Sequence, residues 1–328
     1  MKKIFLTLCS IFLLSQMSFG QVKLSGLAYF DYFYNFERNS GKIAEKDQQG
    51  FQFRRVFFTA DFDISEKLSS RVRLESDGAN FAGTPKFASY LKDFYVQYKF
   101  ESAALLIGLQ GTPPIETEEK YWGYRSVEKI QVDIRGGVAT RDMGVAIKGS
   151  LGEGKSTNYW VMYGNNSSHG AESNKYKRVY AQINHQVTSN LLANLDVNFA
   201  NASKDKNHLM GRFGLYYQEK GAYSFGASAL YNSIQKVLPG DKNLNSLGVS
   251  AFGNTTISND FSFFGRVDYW DANFDSNVKN DSEITFLAGV DYKADKNLSI
   301  IPNISFNKYE MSGIKSDITG KLTFFWRF

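Results

Sequence analysis

Of 328 residues, only one is cysteine (Cys9), three are histidine and five are proline. Cys9 falls inside the leader argued below, so the exported chain has no cysteine. It must be held by burial and backbone pairing instead of disulfides. Charge of one sign is also scarce. Without Lys2 and Lys3, 36 basic residues face 33 acidic ones, leaving +3. That is too little for a nucleic-acid or polyanion-binding surface. No Pro- or Ser-rich linker and no composition shift divides the chain, which points to one domain. After residue 20 no apolar run approaches the length of a membrane-spanning helix.

Glycine and aromatics are abundant: 28 Gly, 28 Phe, 19 Tyr and 4 Trp. Mean hydropathy is nevertheless slightly polar. Many rings in a polar average suit a sheet with one greasy and one wet face. Residues 1–20 follow the secretory pattern. Lys2 and Lys3 are followed by the apolar stretch Ile4–Leu14, and then by small residues at Ser18 and Gly20 for cleavage after Gly20. Cys9 does not make a lipoprotein site, because Leu8 stands where a small residue is needed. The expected organisation is a signal peptide over 1–20 and one domain over 21–328.

From Gln21 onward, period-two alternation dominates. Ile318, Gly320, Leu322, Phe324, Trp326 and Phe328 share one face of the last segment. Lys315, Asp317, Thr319, Lys321, Thr323 and Arg327 share the other, with Phe325 as the exception. Asn194, Asp196 and Asn198 oppose Leu195, Val197 and Phe199 in the same way. Such segments give about sixteen strands, from 22–37 to 314–328, each near the length a tilted membrane strand requires. Connections after even-numbered strands are short, such as Ser65–Glu66, Thr188–Ser189 and Asn259. Those after odd-numbered strands are longer, including 38–49, 78–88, 202–206 and 235–243. Sorting of turns by size is expected of a transmembrane antiparallel up-and-down β-barrel. Lipid cannot satisfy a sheet edge, so such a sheet must close. Tyr32, Tyr34, Phe100, Tyr217, Tyr231, Tyr269, Tyr292 and Trp326 fall at outward positions near strand ends, where interfacial girdles lie.

Alternation also sends charges inward. Val72 and Leu74 face lipid, which turns Arg71, Arg73 and Glu75 to the lumen. Arg55 shares a face with Asp61 and Asp63, while Arg54 is expected to point outward to the headgroups. Further inward candidates are Asp93, Lys99, Lys148, Arg178, Asp196, Arg212, Arg266, Asp268, Asp291, Lys321 and Arg327. The two signs nearly balance, which predicts weak ion selectivity.

The longest interruption, 111–141, lies between strands at 102–110 and 142–151. It carries Glu116, Glu118, Glu119, Lys120, Arg125, Glu128, Lys129, Asp133, Arg135 and Arg141, with Tyr121, Trp122 and Tyr124. A loop this long and aromatic is expected to fold into the bore and narrow it, not to cap it outside. Its acidic start should then face Arg55, Arg71 and Arg73 and set up a transverse field.

Part of this region resembles the phosphate-selective porin O and P family of outer-membrane channels. The likeness is carried by Arg54-Arg55, Gly108-Leu-Gln-Gly-Thr-Pro113, Gly123-Tyr-Arg125-Ser-Val-Glu128 and Arg141-Asp142-Met-Gly144-Val145, followed by Gly149. It covers about 54–149. In that family these segments frame the constriction loop of a sixteen-stranded trimeric porin. The acidic Glu116, Glu118 and Glu119 depart from the lumen basicity of its phosphate-preferring members. The terminal Phe324, Trp326 and Phe328 resemble the signal read by the barrel-assembly machinery.

Other motifs point elsewhere and lack their context. Gly149–Ser156 matches the P-loop letters, but β-patterned residues follow where a helix is required. Ser168 beside His169 suggests a hydrolase, but adjacent side chains on an extended chain diverge and no third partner is indicated. Asp268, Asp271, Asn273, Asp275 and Asn277 could offer oxygens to Ca²⁺, but without the EF-hand spacing they read as a solvated loop. The expected function is an outer-membrane porin for passive diffusion of small hydrophilic solutes or ions. It would have no enzymatic activity and no cofactor, mild anion preference at most, and lipid, lipopolysaccharide and two further copies as neighbours. A plugged barrel serving adhesion or scaffolding is the alternative.

Overall fold

The computed structural model describes residues 21–39, 45–77, 89–203, 206–275 and 277–328. The expected leader and the whole 78–88 connection lie outside these. Among the described residues, sixteen strands follow one another around a closed barrel. They are β1 (Val22–Glu37), β2 (Gln49–Asp63), β3 (Leu68–Asp77), β4 (Tyr90–Lys99), β5 (Ala103–Gly111), β6 (Arg141–Leu151), β7 (Thr157–Gly164) and β8 (Arg178–Gln186). The second half comprises β9 (Leu191–Ser203), β10 (Lys206–Glu219), β11 (Tyr223–Leu238), β12 (Lys242–Thr256), β13 (Phe261–Asp271), β14 (Ser282–Asp295), β15 (Leu298–Tyr309) and β16 (Asp317–Arg327). Every neighbour pair is antiparallel, and β1 seals against β16 from Leu27↔Arg327 to Glu37↔Ile318. Closure removes the unpaired edge that lipid could not satisfy.

Phe328 finishes the seam. Gly26 and Phe328 exchange backbone hydrogen bonds of 2.7 and 3.0 Å. A Cβ at Gly26 would stand 2.2 Å from the Phe328 ring, so only glycine fits there. Phe30 and Phe324 stack across the same seam at 5.0 Å.

The sheet is inside out relative to a water-soluble one. Along β11, Ser224, Gly226, Ser228, Leu230 and Asn232 are buried, while Tyr223, Phe225, Ala227, Ala229 and Tyr231 are exposed. Around the barrel Ile107, Val161, Phe213, Phe263 and Ile304 are exposed, whereas Asp31, Asp93, Asn194, Asp196 and Thr323 are buried. Burial of the polar set and exposure of the apolar set suits a wall wetted within and covered by lipid without.

Two expectations need correction. The turns are not strictly sorted by size, because two hairpins continue as ribbons beyond their expected ends. β9 reaches Ser203 with β10 starting at Lys206, and β11 reaches Leu238 with β12 starting at Lys242. Arg54 does not point outward. β2 pairs Arg55 with Tyr29 and Phe53 with Phe30, leaving Arg54 as an extra residue in a bulge. A bulge breaks the two-residue period locally, so two consecutive arginines turn to the same side. The P-loop-like stretch is the end of β6 and the turn after it, and β7 follows at Thr157 where a helix would be required.

The 112–140 connection holds two helices, α1 (Pro113–Trp122) and α2 (Gln131–Arg135). Proline opens α1, where its missing N–H costs nothing, and Gly123 at φ 73° ends it by donating to Glu119 O. The connection is anchored by its apolar side chains. Trp122, Val127, Ile130 and Val132 are buried with the wall residues Tyr216, Phe252, Phe264 and Leu287. Trp122 meets Phe252 and Phe264 edge-on at 5.6 and 5.8 Å, and Tyr124 stacks on Phe264 at 4.0 Å. Each such burial contributes about 1.5–3 kcal/mol.

Candidate functional site in the lumen

Register decides how the inward charges meet. Arg71 lies opposite Asp61, and Arg73 opposite Asp93. Arg71 therefore forms a two-pronged pair with Asp61 at 2.6 and 3.0 Å, the planar fork matching the carboxylate. Arg73 lies 3.2 Å from Asp93 and donates to Thr59 at 2.8 Å. Arg55 pairs with Glu75 and Arg141 with Asp93.

β4 carries a second bulge. Asp93 pairs with Arg73 and Leu91 with Leu74, so Lys92 is the extra residue. It turns inward, buried against Glu75, beside Asp93. Alternation places Lys92 on the outer face, and nothing in the sequence reveals the inserted residue. Arg54, extruded by the β2 bulge, donates to Ser126 O and Val127 O at 2.8 and 2.9 Å and lies 3.4 Å from Asp31. Both bulges thus add a cation to the inner surface, and one of them grips the 112–140 connection.

Two adjoining cavities lie between that connection and β2–β5. The larger, of 520 Å³, is lined by Arg71, Arg73, Arg141, Glu116, Glu119 and Lys120 among others. The smaller, of 240 Å³, is lined by six cations, Arg55, Arg73, Lys92, Arg125, Arg141 and Arg327, against two carboxylates, Glu119 and Asp133. Of the acids that match the wall arginines, Glu75 is 1% and Asp93 2% exposed, and neither lines the smaller cavity, whereas Asp93 borders the larger one and Asp61 beside Arg71 is more open. At the smaller cavity the guanidinium groups of Arg55 and Arg73 are oriented by these buried carboxylates, and the surface is mainly cationic. Arg125 spans Glu119 at 2.8 Å and Asp133 at 3.2 Å.

Two of the expected site residues are elsewhere. Glu118 does not face the arginines of β2 and β3. It reaches the wall at β10, where it accepts from Arg212 Nη1 at 2.7 Å and Tyr216 OH at 3.0 Å, all three groups being buried. Helical geometry explains the split, since residues 116 and 118 point to different sides of α1. Arg135 pairs with Glu283 on β14. A field drawn from the whole acidic start of the connection to Arg55, Arg71 and Arg73 is therefore incorrect. Of the three glutamates, Glu116 and Glu119 border that space. Further anchors are Gln182 Nε2 to Pro113 O at 2.6 Å and Gln131 Nε2 to Tyr269 O at 2.7 Å. Gly248 leaves room for the Gln131 amide, which a Cβ would approach to 2.6 Å.

Glu128, between the helices, is held below the ordinary carboxylate range. Burial pushes it up, but Lys321, Arg54 and the Lys129 N–H outweigh that. His208 faces inward on β10, its Nδ1 2.8 Å from Arg178 Nη2 and its Nε2 on Asn232. Ser168 and His169 do not diverge. Ser168 sits at φ 57°, and its Oγ lies 3.1 Å from His169 Nδ1, whose ring meets Tyr90 edge-on. Asp268 turns inward to Ser250, while Asp275 binds Asn277, so the suggested oxygen ligands are not gathered. No group of three metal-ligating His, Cys, Asp or Glu occurs among the described residues.

A closed sixteen-stranded barrel with an apolar exterior and charged interior has the porin fold. The chain is similar to the anion-selective porin from Comamonas acidovorans, with 12% identity, 94% of this chain and 99% of that one covered, and a TM-score of 0.73. It is similar to the outer membrane channel DcaP of Acinetobacter baumannii at 14% identity, 94% and 97% coverage and a TM-score of 0.68. Salmonella typhi OmpF matches at 10% identity, 95% and 99% coverage and a TM-score of 0.68. At these identities the likeness is one of fold. No family model matches the sequence. No curated protein matches it either.

Proposed function

We propose that this protein is an outer-membrane porin through which small hydrophilic solutes diffuse passively, with anions favoured where residues 112–140 approach β2–β5. The observation that carries this reading is the arrangement of charge in the smaller cavity: six cations on the lining, with Glu75 and Asp93 buried outside it. A solute in that space meets more guanidinium donors than carboxylates, since only Glu119 and Asp133 share the lining while Glu75 and Asp93 do not. The resemblance of 54–149 to the phosphate-selective porins and the description of the Comamonas neighbour as anion-selective both fit. Lipid and lipopolysaccharide cover the apolar exterior in this reading. Three copies assemble, as in the trimer form of Vibrio cholerae OmpT. Phe328 serves the barrel-assembly machinery.

Replacing Arg55, Arg71 and Arg73 together by Ala should move the reversal potential in a salt gradient towards that of cations. An unchanged reversal potential would mean that ions do not pass these side chains. The second reading, a plugged barrel, is favoured by the fully buried Trp122 cluster. Planar bilayers separate the two, since a plugged barrel gives no stable current steps.

A further inference from the structure

A separate cleft of 360 Å³ lies between α2 and the inner face of β13–β15, within the range of about 300–1,000 Å³ usual for small-molecule sites. Its wall is a grid set by register: Asp268 beside Thr285, Thr285 beside Asn307, and Trp270 beside Glu283. The ionic side chains come in pairs, Arg266 with Asp268 at 2.9 Å, Arg135 with Glu283, and Lys129 with Asp133 at 3.9 Å. Glu128 is the one carboxylate left over on this lining. Unlike the arginine-lined cavities, this space therefore presents no net positive charge.

Three lining residues hold unused hydrogen-bonding capacity, Arg266 and Asn307 on the barrel wall and Gln131, through its Oε1, on α2. Arg266 is 3% exposed and stacks on Trp122 at 4.9 Å, yet its Nε and Nη1 meet no acceptor. Asn307 Oδ1 is also buried with no donor. Buried polar atoms left unpaired are costly, and a donor and an acceptor on one cleft point to a ligand able to satisfy both. An anion would accept from Arg266 but face Asp268, Glu128 and Glu283. A cation would offer no acceptor to the free Arg266 donors. A hydroxyl both accepts and donates and carries no charge.

From this geometry we infer that the cleft is a binding subsite for a neutral polyhydroxylated solute such as a monosaccharide. Its hydroxyls accept from Arg266 and donate to Asn307, with the Trp270 side chain lining the space. The barrel then offers two solute-contacting surfaces of different chemistry, one cationic and one charge-paired.

Glucose is the probe, added to full-length protein while tryptophan fluorescence is followed in detergent and open-channel current noise in planar bilayers. The expected result is saturable binding in the millimolar range, weakened about tenfold or more by Arg266→Gln and by Asn307→Leu, the effect of one charge-assisted or buried hydrogen bond. If Arg266→Gln fails to assemble, Asn307→Leu decides the matter. Absence of saturation overturns the inference, as does unchanged affinity in the assembled variants. Inorganic phosphate binding in place of glucose, lost on Arg266→Gln, would instead make this an anion site. Fluorescence reports binding whether or not the barrel conducts, so failure of the channel reading would be seen separately, as missing current steps.

Discussion

Removing Glu118 tests whether a buried ion pair holds the 112–140 connection across the lumen. Its carboxylate accepts from Arg212 at 2.7 Å and from Tyr216 at 3.0 Å. Glu118→Ala abolishes both bonds, but Arg212 keeps Asp196 at 2.9 Å, so no unpaired charge is stranded. Hydrogen bonds to charged groups contribute about 1.5–3 kcal/mol each, and the retained pair keeps the total near the lower end, about 3 kcal/mol. That is a shift of roughly a hundredfold in the ratio of docked to undocked α1. Gln182 on Pro113 and Arg54 on Ser126 and Val127 remain, so the docked state still prevails. Single-channel recording should therefore show the parent conductance interrupted by brief excursions, absent from wild type. Glu118→Gln retains an acceptor oxygen and should be milder. Arg212→Leu should be worse, because it leaves Glu118 and Asp196 as buried carboxylates without their cation, a loss of about 3–5 kcal/mol. Equal noise and conductance in Glu118→Ala and wild type would refute the idea that this pair restrains the connection.

Acidification should act through Glu128. Its carboxyl is held below the ordinary range, so the stabilisation is complete above the ordinary glutamate value of about 4.3. It is lost as pH falls through the lowered value. Conductance should thus be steady from neutrality to about pH 4 and become unstable only below, and Glu128→Gln should show no such acid step. At the seam, Gly26→Val would drive side-chain atoms into the Phe328 ring and the Phe57 carbonyl, each within 2.7 Å of an added Cβ. The yield of heat-modifiable folded barrel should collapse, whereas Ala substitution at exposed Phe58 should have little effect.

Much of the architecture was legible because alternation is a local property. Val72 and Leu74 against Arg71 and Arg73, or Leu195 and Val197 against Asn194 and Asp196, declare their faces without knowledge of the neighbouring strands. The glycines of the motif region also have a local reason. Gly108, at φ 131°, leaves space for Phe94 O, which a Cβ would meet at 2.3 Å. What escaped was whatever breaks the period by one residue. Arg54 and Lys92 each sit in a bulge, and an inserted residue looks like any other until the partner strand counts past it. Pairing was hidden for the same reason: Asp61 neutralises Arg71 through register between strands, not through spacing along one of them.

The sequence by itself determined an even-numbered sheet with apolar and polar faces and one long, charged, aromatic interruption, since side-chain period and turn chemistry act over a few residues. Only the tertiary structure decided that Glu118 binds Arg212, 94 residues away, while Glu119 lies among the arginine-lined cavities. Only the closed barrel keeps Glu75 and Asp93 out of the smaller cavity's cationic lining on one side and leaves Arg266 with free donors on the other. Closure brings distant strands around a common interior, and the electrostatics there depend on which side chain reaches the lining. That is a matter of depth, which a linear pattern does not encode.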